Sequence, residues 1–104
     1  PHSPPESFRS RFVREYEGPL PAVPPYTDRL DELLGRAPEE SDVRYLRDLY
    51  GAEIAYADSV LGELFGYLEE RGFFQSGLLA LTSDHGEEFF EHGGFAHRTT
   101  LYEE

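Results

Sequence analysis

Side chains that could bind a metal ion stand close together near the end of the sequence. Asp84 and His85 are neighbours, and His92 and His97 follow them. Neutral imidazole and carboxylate are ligands for Zn²⁺ and Mn²⁺, and sites with more oxygen donors take Ca²⁺ or Mg²⁺. Neighbouring residues of a strand point to opposite faces, so Asp84 and His85 can share a metal only where the backbone turns, which Gly86 permits. One alternative stays open, in which Asp84 caps a helix and the histidines lie in a polar loop.

The place of this cluster in the chain is more informative than its composition. Residues 77–82, Gly-Leu-Leu-Ala-Leu-Thr, are a short apolar run between turn residues. Such a run predicts a strand buried on both faces, as in a parallel sheet. The α/β folds place ligand sites at the carboxyl ends of these strands, and the Asp-His pair follows directly. The acids around it, Glu87, Glu88 and Glu91, are expected to be solvated rather than to bind the metal.

A long amphipathic helix is predicted before this strand, over residues 41–71. Apolar residues recur at steps of three and four from Val43 to Leu68, which places them in one stripe on an α-helix. Acidic residues before the helix are typical of a helix N-terminus, where they interact favourably with the helix dipole. Arg71 and Gly72 are typical of a C-terminus, as a base in the last turn and a glycine after it. At about 30 residues the helix is far longer than the usual ~11–12. Its stripe needs a sheet or further helices to cover it.

The first 38 residues form a proline-rich segment that holds all eight prolines of the chain. Proline fixes φ and removes a hydrogen-bond donor, so this segment cannot be mostly regular structure. Two short helices are predicted within it, over residues 7–17 and over residues 27–34, with Thr27 as N-cap and Gly35 after the last turn. The segment is too apolar for a free linker, so we expect it to lie over a larger domain.

Charge and composition narrow the functional classes. The 104 residues carry 21 acidic side chains against nine basic ones, all arginine, for a net charge of -12 at pH 7. This balance argues against binding to nucleic acid or to anionic lipid. The absence of cysteine excludes disulfides, thiolate metal sites and a cysteine nucleophile within the chain. No apolar run approaches the ~18 residues of a membrane span, so no membrane segment is predicted.

Three separated blocks of the sequence resemble the sulfatase family of the alkaline-phosphatase-like superfamily. The first is the opening Pro-His segment, residues 1–6. The second, residues 50–62, resembles the helix that precedes a late core strand in that family. The third runs over residues 79–104 and contains Leu-Thr-Ser-Asp-His-Gly-Glu-Glu-Phe, Glu-His-Gly, His97 and Thr-Leu-Tyr-Glu-Glu. The blocks follow the family's order and together span nearly the whole chain.

The resemblance implies an α/β fold, part of an alkaline-phosphatase-like sandwich in which helices flank a central, mainly parallel sheet. That fold would be incomplete in this chain, which is expected to be a partial catalytic domain. Within it, residues 1–38 would be the irregular proline-rich segment, residues 39–72 the long helix, and residues 77–104 the core strand with the metal-site loop.

The resemblance also implies roles for four residues. Asp84 and His85 match two adjacent metal ligands, which makes a divalent ion (Ca²⁺, Mn²⁺ or Zn²⁺) the expected cofactor. His97 matches a cationic position, often Lys in classical sulfatases, that contacts the sulfate. His2 matches the histidine of the Pro-His segment, which can protonate the leaving oxygen. His92 has no firm counterpart.

Two departures from the family pattern qualify these roles. The family's nucleophile, a formylglycine made from Cys or Ser in a Cys/Ser-x-Pro-x-Arg motif, is absent, and so are the early acidic metal ligands. Both are expected outside this chain, in the remainder of the parent catalytic domain, so the isolated chain should be inactive. His85 stands where many sulfatases carry Asn, and imidazole suits Mn²⁺ or Zn²⁺ better than Ca²⁺.

The sequence therefore predicts a piece of a sulfatase-like hydrolase that cleaves a small-molecule or carbohydrate sulfate ester with the help of a metal. One alternative keeps the fold and changes the substrate to a phosphate or phosphonate ester, as in a phosphodiesterase, a phosphonate hydrolase or a phosphoglycerol transferase. Another is a non-catalytic acidic module that binds a metal or a protein partner.

Overall fold

The computed structural model describes residues 3–25 and 29–97 of the chain. Three α-helices come first: α1 over Glu6–Phe12, α2 over Leu30–Leu34 and α3 over Glu40–Glu70. A single 3₁₀ turn follows α3 at Phe73–Gln75. Two short strands, β1 at Glu88–Phe89 and β2 at Phe95–Ala96, pair in antiparallel orientation.

Helix α3 spans 31 residues and is the axis of the molecule. At its start, the Glu39 side chain accepts a backbone N–H of the first turn, and the Asp42 carboxylate accepts the Glu39 N–H at 2.8 Å. This reciprocal capping satisfies donors that have no partner inside the helix. At its end the backbone turns at Gly72, whose φ of 70° is accessible to glycine without steric cost.

The hydrophobic core lies against the first half of α3 only. Tyr45, Leu46 and Leu49 are buried there, and Leu20 from the proline-rich segment and Phe89 from β1 pack against them. The second half of the apolar stripe is open to solvent; its larger exposed side chains are Ile54, Val60, Leu64 and Tyr67. The described residues thus cover about half of the stripe that the sequence predicts.

The proline-rich segment lies along α3 and is held there by polar and aromatic contacts in addition to the burial of Leu20. The Arg14 guanidinium binds the Asp48 carboxylate through two nitrogens, at 2.9 and 2.6 Å. The Tyr16 ring stacks on Tyr45 with a centroid distance of 4.1 Å. The Arg14 backbone N–H also donates to the Asp48 carboxylate, at 3.1 Å, instead of to a helix carbonyl. The first helix ends at Phe12, with Val13 extended, and does not continue to residue 17 as predicted.

The second short helix also starts later than predicted, at Leu30 with Arg29 as N-cap. Thr27, the predicted N-cap, lies outside the described residues. Gly35 ends this helix with φ 65°, in the left-handed conformation, as expected of a glycine after the last turn.

The predicted buried strand over residues 77–82 is wrong for this structure. These residues form no strand, and Leu78 and Leu81 are 90% and 69% exposed. A strand needs neighbours that accept and donate its backbone hydrogen bonds. Within residues 3–25 and 29–97, β1 and β2 pair only with each other, so the run has no sheet to join. The structure is consistent with an α/β fold only coarsely, as helices with one two-stranded sheet.

Among the described helices, none combines the length and the apolar character that a membrane crossing requires.

Candidate functional site

The candidate site is built on the hairpin of β1 and β2, and a buried carboxylate holds that hairpin together. Glu88 is 1% exposed. Its Oε1 atom accepts the backbone N–H of His92 at 2.9 Å and that of Gly94 at 2.8 Å. A buried carboxylate is stable only with such donors. Glu88 was expected to be solvated; it is instead the structural anchor of the loop between the strands.

The hairpin is fixed to α3 at a second point. The Phe89 ring enters the core and lies 5.5 Å from the Tyr50 ring. Arg47 of α3 donates to the Phe89 carbonyl at 3.2 Å and pairs with the Glu91 carboxylate. Burial tends to raise the pKa of Glu91, but backbone N–H groups and Arg47 hold it below its ordinary value. Glu91 therefore helps to anchor the hairpin, while its side chain remains 46% exposed, as expected of a solvated loop acid.

The strand register brings Glu87 opposite His97. Glu88 pairs with Ala96 and Phe89 with Phe95, so one further step along the ladder sets residue 87 across from residue 97. The Glu87 Oε1 atom lies 2.7 Å from His97 Nδ1. Glu87 was also expected to be solvated, yet only 16% of its side chain is exposed.

The same hairpin brings two of the predicted site histidines together. The rings of His85 and His97 stack with centroids 4.1 Å apart and planes inclined by 27°. The His85 Nδ1 atom lies 2.9 Å from the Gly86 carbonyl oxygen, and this contact raises the pKa of His85. Ligand atoms of His85, Glu87 and His97 all lie within 4.8 Å of one another. That arrangement could hold a divalent cation.

Asp84 lies at the edge of this group, next to His85. Its side chain is 89% exposed, and its Oδ1 atom accepts the His85 backbone N–H at 3.1 Å. Its Oδ2 atom lies 3.7 Å from His85 Nε2. The backbone turn at this point therefore directs two neighbouring side chains to the same place, which an extended strand could not do.

His2 and His92 are the other two histidines considered for the site. His2, the predicted proton donor, lies outside the described residues, so its position relative to the site is not described. His92 is exposed at the tip of the hairpin and does not belong to the group of His85, Glu87 and His97.

Sequence reasoning missed Glu87 as a site residue. Only the register of the hairpin indicates its role. Because residue 88 pairs with residue 96 and residue 89 with residue 95, residue 87 faces residue 97. Turn residues in Glu-His-Gly-Gly indicate a reversal, but they do not fix which residues face each other. A shift of one position would have turned Glu87 to the opposite face.

Comparison with known proteins identifies the family. The sequence model of the Sulfatase family matches residues 1–104. Arylsulfatase K of Xenopus laevis is 38% identical over 64 residues, 62% of this chain and 12% of that protein. The multifunctional alkaline phosphatase superfamily protein PehA of Trinickia caryophylli is 38% identical over 58 residues, 56% of this chain and 11% of that protein.

A third relative, iduronate 2-sulfatase of Homo sapiens, is 38% identical over 53 residues, 51% of this chain and 10% of that protein. The chain therefore spans only about a tenth of the length of these relatives. No solved structure matches the chain. Membership implies the α/β fold of the alkaline-phosphatase-like proteins, of which the described residues show the helices and one small sheet. Because the family model matches the chain from its first residue to its last, the chain belongs to the sulfatase family.

Proposed function

We propose that this chain contributes the late metal-site segment of a hydrolase that cleaves sulfate esters with the help of a divalent metal. The observation that carries the proposal is the pair of Asp84 Oδ2 and His85 Nε2 at 3.7 Å, set by a backbone turn. This pair stands at the sequence position where the family resemblance expects two adjacent ligands. One carboxylate oxygen and one imidazole nitrogen suit Mn²⁺ or Zn²⁺.

The remaining residues are proposed to act on the ester. A metal at Asp84 and His85 would supply Lewis-acid stabilisation of the negative charge that develops on the ester oxygens. His97, whose ring stacks on His85, is proposed to contact the sulfuryl oxygens. His2 is proposed to give a proton to the leaving oxygen, as a histidine near its pKa can do. The nucleophile, a formylglycine by analogy with the family, is expected outside this chain.

Hydrolysis of phosphate or phosphonate esters is the second candidate. It is favoured by His85, which stands where many sulfatases carry Asn, and by the similarity to a relative described as a multifunctional alkaline phosphatase superfamily protein. Both reactions need concentrated positive charge at the ester oxygens, so the chemistry of the described residues serves either one.

The experiment compares the whole protein with two variants in a hydrolysis assay. Native enzyme should cleave an aryl sulfate faster than an aryl phosphodiester or an aryl phosphonate. Asp84→Asn should lower kcat/KM by roughly 10²–10³-fold, the usual cost of one group that stabilises developing charge. The control Asp58→Asn, an exposed position on α3, should match native enzyme. Preference for the phosphorus esters would select the second candidate, and full activity of Asp84→Asn would refute the assigned site.

A further inference from the structure

A carboxylate of α3 holds the backbone directly after His2. The Glu53 Oε1 atom accepts the backbone N–H of Ser3 at 2.5 Å, although 50 residues separate the two in the chain. Glu53 is half-buried and follows Ala52, the last buried residue of α3. Hydrogen bonds to an ionised carboxylate are roughly twice as strong as those between neutral groups. The backbone at Ser3 is therefore fastened to α3 at a defined point.

The chain from Ser3 to the start of α1 has little conformational freedom. The rings of Pro4 and Pro5 fix two successive φ angles, and a residue that precedes proline, as Ser3 does, is restricted to extended conformations. Pro4 is also buried, and α1 starts directly after Pro5. The Ser3 N–H belongs to a planar peptide unit that contains the Cα atom of His2. A contact at this N–H therefore acts on the backbone that carries His2.

A second contact holds the same segment one turn further along α3. The Tyr56 ring meets the Phe8 ring of α1 edge-on, with the centroids 5.4 Å apart. Glu53 and Tyr56 are three residues apart, so they lie on the same face of α3. The segment after His2 is thus held to one face of α3 by a polar and an aromatic contact. Of these two contacts, only the polar one reaches the peptide unit that His2 shares.

We propose that Glu53 is a positioning residue for the proton transfer assigned to His2. It acts through the Ser3 N–H and needs no contact of its own with the ester. A general acid works only within hydrogen-bond reach of the leaving oxygen, and an error of about 1 Å in such a placement can cost about 10²-fold in rate. The inference rests on the role of His2 in the proposed function and adds the residue that sets its place.

The test measures kcat and KM of the whole protein on two esters of the class that it prefers, one with an alkyl and one with a 4-nitrophenyl leaving group. Proton donation matters for a basic alkoxide and little for nitrophenolate. Glu53→Ala should therefore lower kcat by about 10–100-fold on the alkyl ester and by less than about threefold on the nitrophenyl ester, with KM nearly unchanged.

Two further variants show whether the loss comes from the missing acceptor. Glu53→Gln keeps an amide oxygen that can accept the Ser3 N–H, so it should recover most of the activity that Glu53→Ala loses. Glu63→Gln makes the same change at an exposed position of α3 and should match native enzyme. Circular dichroism checks that each variant folds.

Combination with His2→Ala separates positioning from a general structural role. Residues that act as a unit are not additive, so Glu53→Ala should change kcat by less than about twofold once His2 is alanine. Native activity of Glu53→Ala, or an equal loss on the two esters, would refute the inference. An equal loss with and without His2 would refute it as well, because Glu53 would then support the fold and not the proton donor.

Failure of the inference can be told apart from failure of the proposed function. If His2→Ala alone cleaves the alkyl ester like native enzyme, the proposed proton donor is wrong and the inference fails with it. The metal site of the proposed function is tested separately by Asp84→Asn. If His2→Ala is impaired and Glu53→Ala is not, His2 keeps its role and only the inference is refuted.

Discussion

Asp42 is the buried charge that ties the proline-rich segment to α3. Its side chain is fully buried. It receives two hydrogen bonds from the Arg36 guanidinium, at 2.6 and 3.2 Å, and one from the Tyr16 hydroxyl at 2.5 Å. Burial tends to raise the pKa of Asp42, but these donors and the Glu39 N–H hold it below its ordinary 3.8. Burial, together with the hydrogen bond to Asp42, raises the pKa of Tyr16 to about 12.

The lowered pKa of Asp42 predicts a pH-dependent contribution to stability. A carboxyl whose pKa is lower in the folded state stabilises the fold above its unfolded pKa of 3.8, and the contribution disappears as the pH falls through the folded value. At pH 7 we expect Asp42→Asn to lower the free energy of unfolding by about 2 kcal/mol, because hydrogen bonds to a charged group are lost. This gap between native and variant should shrink as the pH falls below about 4.

Urea unfolding at several pH values checks this prediction. The comparison of native and variant removes the contribution of the other acids, which titrate in both proteins. Asp58→Asn, at an exposed position of α3, serves as the control and should follow the native curve throughout. A gap that stays constant down to pH 2 would show that the charge of Asp42 does not stabilise the fold.

The first half of α3 packs against the hydrophobic core, and its second half, called the open half below, is exposed to solvent. Its first half carries the buried residues, which end at Ala52, and its second half carries large exposed side chains. Gly62 lies in the open half, where a Cβ atom added to it would meet nothing within 4 Å. Glycine inside a helix therefore costs conformational entropy there without giving any packing benefit. Gly72, by contrast, ends the helix at a positive φ.

These two glycines predict opposite effects of the same substitution. Gly62→Ala should raise the free energy of unfolding by about 0.5–1 kcal/mol, because alanine has the higher helix propensity and no clash results. Gly72→Ala should lower it by about 1–2 kcal/mol, because an L-residue is strained at that φ. Thermal unfolding followed at 222 nm would measure both. Destabilisation by Gly62→Ala would mean that this part of α3 packs against something that the described residues do not include.

The whole molecule is elongated, with extents of 55 × 32 × 18 Å, because α3 extends beyond the core. Its open half and the exposed leucines of residues 77–82 leave apolar side chains in water. Exposed apolar surface of this kind favours association, and an unpaired run of Leu-Leu-Ala-Leu can also join other copies as a strand.

The chain should therefore self-associate as its concentration rises. The double variant Leu78→Lys with Leu81→Lys should reduce the average mass measured by light scattering, because it removes the two most exposed leucines of the run. Ser59→Lys adds the same kind of charge at an exposed polar position and should have a much smaller effect. If the native chain stays monomeric at every concentration tested, the exposed run is not a point of association.

The prediction from sequence was most accurate where the structure depends on contacts close in the chain. Helix α3 runs over Glu40–Glu70 against a predicted 41–71, because a period of 3.6 residues and the residues at the two ends are local properties. The end of the second helix at Gly35 is local as well. The adjacency of Asp84 and His85 also stands in the sequence itself, together with the family that its motifs resemble.

Only the tertiary structure decided which of these features meet. The strand predicted at residues 77–82 did not form, because a strand depends on partners elsewhere and the described residues provide none. Glu87 became a neighbour of His97, and Glu88 became buried, because the register of one hairpin set them there. Composition and periodicity determine which residues prefer helix or burial. Register and long-range pairing depend on the whole set of contacts. They bring acidic and histidine side chains of one loop close enough together to form a candidate metal site.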